Sequence, residues 1–167
     1  MVLFEVDALQ IARLGQGDAP GLLETYRQCE DFLALGPVPR ASIEMIRGDM
    51  AHSESLGGRY CRIVHAQGPV IGVLDFVPAA GSAGVALIEL LMIAGPWRRR
   101  GIGRRVVTGL ERYLKANHGV HTVESAVQAN NPDATRFWAA LGYRQAPEAV
   151  RQPDGTVTHR LWRVANQ

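Results

Sequence analysis

Cysteine is scarce in this chain: 167 residues contain two, Cys29 and Cys61, which form no CxxC pair and no metal-ligand spacing with the five histidines. That argues against a zinc ribbon, a dithiol redox motif or a disulfide framework, and predicts two free thiols in a reducing compartment and no bound metal. Lysine is nearly absent, because 17 of the 18 basic residues are arginine and Lys115 is the exception. No apolar run approaches the ~18 residues of a membrane helix. The start, Met1 to Asp7, lacks a basic stretch followed by a long apolar one. A cytoplasmic protein without a membrane partner is therefore expected. The net charge of +2 is too small for general attraction to nucleic acid, and no recognition motif for one is present. At 47% hydrophobic and 20% charged residues the composition is that of an ordinary globular protein, and a single domain over residues 1–167 is predicted.

The basicity that exists is concentrated in one place, Arg98-Arg99-Arg100-Gly101-Ile102-Gly103-Arg104-Arg105. It follows a continuous apolar run, Val85 to Ile93, and precedes Val106, Val107, Leu110, Tyr113 and Leu114 at helical spacing. The order is strand, glycine loop, helix. Glycines let a backbone approach a ligand closely, and the first amides of a helix carry outward partial positive charge, so such a loop suits a polyphosphate. A Walker loop needs Gly-Lys-Ser/Thr, which is missing, and the dinucleotide fingerprint needs a third glycine where Val106 stands. What remains is Arg98, Gly101 and Gly103 in an Arg-x-x-Gly-x-Gly pattern.

The rest of the chain supplies further elements. A first strand is expected at Leu9–Leu14, then a helix from Asp18 to about Leu33 and a second from about Ala41 to His52. Tyr60–His65 and Val70–Val77 read as a hairpin around Ala66-Gln67-Gly68-Pro69. His121–Val127 is a strand. Asn131 can cap a helix with Pro132 in its first turn and Gly142 at its stop. Two short strands, Tyr143–Gln145 and His159–Val164, close the chain around an Asp154-Gly155 turn.

Leu91, Ile93, Pro96, Arg98, Gly101 and Gly103, followed after a strand by Asn131, Ala134, Phe137, Trp138, Gly142 and Tyr143, resemble the GNAT superfamily of acyl-CoA-dependent N-acetyltransferases. The resemblance covers residues 85–145. It implies an α+β fold of the GNAT type, with a mixed, mostly antiparallel sheet of six to seven strands and about four helices on both faces. It implies three parts: an acceptor side at 9–84, an acetyl-CoA-binding core at 85–145 and C-terminal strands at 146–167. Acetyl-CoA would be the acyl donor and a primary amine, on a small molecule or a protein, the acceptor. A homodimer through an edge at Val157–Val164 is a further expectation. A module that binds acyl-CoA without catalysis is the alternative.

The same resemblance places the donor. Its pantetheine arm would lie in a notch between the fourth and fifth strands against the backbones of Leu91, Met92 and Ile93, whose side chains also suit the core. Its pyrophosphate would meet Arg98 and the amides of Arg99, Arg100, Gly101, Ile102, Gly103 and Arg104. Asn131 and the face from Ala134 to Trp138 would flank the pantetheine end. A strand amide near Met92 would stabilise the carbonyl oxygen of the reacting thioester. Glu89 is the acid on this strand, and a carboxylate there needs either a function or a partner. It is a candidate general base, or a partner of Arg62 or Arg136. Many family members have a tyrosine that protonates the leaving thiolate where this chain has Trp138, whose indole N–H only donates hydrogen bonds. Tyr143, Tyr113 or a water would have to substitute, or no acid is needed, since a thiol of pKa near ~8.5 leaves well as its anion. Glu30 and Asp31 are either a solvated helix face or an attraction for a cationic amine.

Overall fold

The structure, a computed structural model, describes residues 1–165; the last two residues of the expected C-terminal part, 166 and 167, lie outside the described residues. Eight strands form one sheet in the order β1 (Val2–Val6), β2 (Leu9–Arg13), β3 (Arg59–His65), β4 (Val70–Val77), β5 (Val85–Ile93), β6 (Thr122–Gln128), β8 (Val157–Val164), β7 (Arg144–Arg151). Every neighbouring pair is antiparallel except β5 and β6, which run parallel. The α+β class and mixed sheet agree with the sequence reading, with one or two strands more than expected. The extra strand is β1, a stretch of five residues with no clean alternation, Leu3, Phe4 and Val6 being half-buried and Val2 and Glu5 exposed, short enough to pass for a terminus.

Helices cover both faces. On one, α1 (Leu23–Arg27), α2 (Glu30–Leu33) and α3 (Ile43–Ser55) bury Leu22, Tyr26, Cys29, Ile46 and Met50 against Tyr60, Val73 and Met92. On the other, α4 (Ile102–His118) and α5 (Pro132–Ala140) share a core with Ile63, Leu74, Phe76, Ile88 and Leu161. Fully burying side chains such as Leu110 and Leu114 contributes about 2 kcal/mol each. The single helix expected over 18–33 is instead a 3-10 segment, Gln16–Leu22, followed by α1 and α2. Gly15, Gly17 and Gly21 weaken helix propensity there, and Pro20 sits inside the 3-10 segment without an N–H to donate. Helix α3 begins where Ser42 caps it, its Oγ accepting from the Met45 amide at 3.1 Å.

The C-terminal strands correct a second expectation. Val157–Val164 lies between β6 and β7 and is therefore no edge; the free edges of the sheet belong to β1 and to β7, which is mostly exposed. Both cysteines are free and buried, and burial pushes the Cys61 thiol up to about 12.

Candidate active site

The sheet opens where β5 leaves β6. The two strands pair only from Val85 with Thr122 to Leu87 with Glu124. The last cross-link is the Ser125 hydroxyl donating to the Ile88 carbonyl at 2.9 Å, and β5 then runs on to Ile93 without β6. On its other side β5 stays bound to β4, through an irregularity at Asp75/Phe76 that leaves Glu89 without a partner across the ladder. Peptide groups of an extended chain alternate sides, so only every second residue of this stretch faces the gap. The Ala94 amide donates to Ile71, and the Met92 carbonyl lies 2.5 Å from where a Gly72 side chain would begin, so both face β4. Leu91 and Ile93 therefore turn their peptides to the notch. Met92, expected to do the same and to supply an oxyanion amide, has its backbone committed to β4 and its side chain buried.

The notch leads to the first turn of α4. Gly101 has φ +73°, a left-handed turn into the helix that glycine adopts without strain. Intrahelical bonding begins with the Arg105 amide donating to the Gly101 carbonyl, which leaves the amides of Ile102, Gly103 and Arg104 pointing out. The Ile102 side chain points the other way, into the core. Gly103 permits a close approach, since a Cβ there would lie 3.0 Å from the Phe137 ring.

The arginines divide their tasks. Arg99, Arg100 and Arg104 are exposed, with Arg100 resting on Trp97 at 5.0 Å; among the described residues Arg99 and Arg104 form no ion pair. Arg105 pairs with Asp7 at 3.8 Å. Arg98, expected at the phosphates, is held elsewhere. Its Nε donates to the Ile93 carbonyl at 2.7 Å and both terminal nitrogens bond Asp31, Nη2 to Oδ1 at 3.0 Å. This clamp joins the end of β5 to α2, and it holds the Asp31 carboxyl below the usual carboxylate range. Asp31 is thereby spent on Arg98 rather than left to attract an amine, and Glu30 accepts from the Ala41 amide at 2.8 Å.

Asn131 caps α5 with its Oδ1, which accepts from the Ala134 amide at 3.1 Å. Trp138 corrects another expectation. It is 6% exposed, packed edge-on between Phe137 and Tyr143 in the core, and Phe137 is the aromatic of α5 that reaches Gly103. Neither tyrosine expected to replace a general acid faces the notch. Tyr143 donates to Glu111, which also pairs with Arg163, and Tyr113 stacks on Phe4 of β1.

Glu89 sits on the α3 face of β5, its side chain 29% exposed. Its partner is neither Arg62 nor Arg136 but His52 of α3, with Nε2 3.0 Å from Oε1. Nearby, the Ser53 hydroxyl donates to Asp75 at 2.6 Å, and Tyr26 donates to Asp49 at 2.7 Å while also bonding Tyr60. Burial pushes the Asp75 carboxyl up to about 6 despite the Ser53 bond, with Glu89 and Asp49 adding repulsion. No local pattern points to this group, because its members come from positions 26 to 89 on five elements.

Asp75 supplies a test of stability. Its carboxyl holds a proton more tightly in the folded chain than in the unfolded one, so its contribution worsens as pH rises from about 4 to about 6 and stays unfavourable above. Asp75→Asn keeps an oxygen for Ser53. It is expected to stabilise the fold at pH 7 by up to about 2 kcal/mol and to be neutral near pH 4, as measured by urea unfolding.

Residues 23–143 match the sequence profile of the Acetyltransferase (GNAT) family. No curated protein sequence matches the chain. Among solved structures, an acetyltransferase from Thermus thermophilus is 27% identical, with a TM-score of 0.76 over 97% of this chain and 100% of that one. A spermidine N-acetyltransferase from Vibrio cholerae, solved with CoA and spermine, is 15% identical, with a TM-score of 0.71 over 94% and 95%. An acetyltransferase from Salmonella typhimurium that modifies the N-terminal serine of ribosomal protein L7/L12 is 14% identical, with a TM-score of 0.75 over 98% of both chains. The likeness to the last two is one of fold.

Proposed function

Because the chain belongs to the GNAT acetyltransferase family, we propose that it moves an acetyl group from acetyl-CoA to a primary amine of a small molecule or protein. The observation that carries this is the notch itself, an edge of β5 that β6 leaves open, with the Leu91 peptide and the Ile93 amide turned to it, running into the free amides of α4. These groups suit acetyl-CoA. Leu91 offers a peptide donor and acceptor and Ile93 its amide to the pantetheine amides, Ile102 to Arg104 offer amides to the pyrophosphate, and the exposed Arg99 and Arg104 add charge. The bound donor supplies an activated acyl group. The chain does the rest: the notch fixes the acyl carbon beside β5, a Leu91 or Ile93 amide meets the carbonyl oxygen as charge develops, and Glu89 takes the amine proton. An amine of pKa near ~10 is almost wholly protonated at neutral pH, so that removal is needed.

On this proposal the chain is one domain over 1–167 in a cytoplasmic setting, and the acceptor approaches the α1–α3 face around Asp49, Asp75 and Glu89. Among the described residues no tyrosine hydroxyl is aimed at the notch, so the thiolate leaves unprotonated by the protein. That same observation favours the second reading, a module that binds acyl-CoA without turning it over. Calorimetric titration with acetyl-CoA, beside desulfo- and dephospho-CoA, followed by thiol release against an amine panel, separates the two. Binding with turnover supports the transferase, binding without turnover the sensor, and absence of binding removes both.

A further inference from the structure

We infer that His52 is the outlet for the proton that Glu89 takes from the amine, a relay residue that acts through Glu89 and does not touch the acceptor. The inference rests on the proposed role of Glu89. A carboxylate at the start of the notch can accept one proton from the substrate, yet it must return to its anion before the next turnover. Among the described residues Glu89 has one side-chain partner to receive that proton, the His52 imidazole, with Nε2 3.0 Å from Oε1. The pair is graded in exposure, 29% for the glutamate side chain and 58% for the histidine, so it leads from the sheet outward to water. Imidazole has two nitrogens, which suits taking a proton at one atom and giving one up at the other.

The groups facing the pair are Asp49 on α3 and Asp75 on β4. Both carboxyls are raised by burial and both are drawn back down by the charge of His52, so they sense the imidazole while serving other partners. Asp75 holds Ser53 and Asp49 holds Tyr26, and neither bonds His52. The transfer balances as follows. An ammonium N–H breaks as an O–H forms on Glu89, the freed lone pair makes the new C–N bond, the thioester C–S bond breaks with its electron pair leaving on sulfur, and the second proton lost from the attacking nitrogen ends on the departing thiolate. With His52 protonated at Nδ1, the Glu89 proton moves to Nε2 and the Nδ1 proton passes to water. Exchange with water then restores the starting tautomer. The sequence hid this, because His52 lies 37 residues from Glu89 on a separate helix.

The test uses the full chain, acetyl-CoA and whichever amine is turned over, in dilute buffer without imidazole. His52→Ala is expected to lower kcat roughly tenfold, with KM for the amine and acetyl-CoA affinity unchanged, and added imidazole restores the rate in a saturable way. His52→Gln, which keeps a hydrogen bond to Glu89 but cannot carry a proton, should be equally slow and should not be rescued where its side chain fills the space. An unchanged kcat in His52→Ala, or a loss that imidazole and small-base buffers leave untouched, overturns the relay. Glu89→Gln separates the layers. If it is slow while His52→Ala is normal, only the relay fails; if it is as fast as wild type, the base and the relay fail together; if acetyl-CoA does not bind the wild type, the transferase reading itself fails.

Discussion

Replacing Glu89 by glutamine is expected to lower kcat by roughly a hundred- to ten-thousandfold near neutral pH, the usual range for loss of a general base. The glutamine keeps the shape of the side chain and an oxygen for His52, so the fold and the affinity for acetyl-CoA should be unchanged. The loss should shrink as pH rises, because an amine of pKa near ~10 deprotonates in water without help and the enzyme then has less to contribute. Rates of wild type and Glu89→Gln from pH 6 to 10 measure this. A ratio near one throughout makes the contact with His52 a structural tie between β5 and α3.

Gly101→Asp is expected to weaken acetyl-CoA binding by on the order of 10- to 100-fold, or about 1.4 to 2.8 kcal/mol. The residue occupies the N-cap of α4 at φ +73°, where no side chain now caps the helix. Aspartate tolerates the left-handed region better than most residues and is a strong N-cap, so its carboxylate can bond the amides of Gly103 or Arg104 and satisfy them within the protein. It would thereby occupy the anion site with a charge of the wrong sign for a pyrophosphate. Thermal unfolding should shift by only a few degrees while calorimetry records the lost affinity. Equal affinity in the variant would mean that the amides of this turn do not hold the phosphates.

On the proposed function, Arg98 is expected to carry less of that affinity than its place in the motif suggests. With its guanidinium locked between Asp31 and the Ile93 carbonyl, it acts on the shape of the notch, tying the end of β5 to α2. A motif position states which residue type is needed; it is silent on which way a long side chain turns, since that depends on a carboxylate 67 residues away. Trp138 and Phe137 show the same limit. They are adjacent in sequence, and the turn of α5 sends one into the core and the other to Gly103. Met92 is a milder case, because alternation along a strand is readable in advance but its phase against β4 is not.

What the sequence determined by itself is everything set by local chain chemistry. The order of strands and helices from β3 to α5, the glycine turn into α4, the Asn131 cap and membership of the fold family follow from spacing and from residues within a few positions of one another. The tertiary structure decided what depends on long-range pairing. It added β1 to the sheet, placed β8 inside it, ended the β5–β6 ladder at Ser125, and brought His52, Asp75 and Glu89 together from three elements. The physical reason is the same in each case. Register, burial and the partner of a charged side chain are set by the packing of distant segments, and a linear pattern encodes which side a residue prefers without naming what it will meet there.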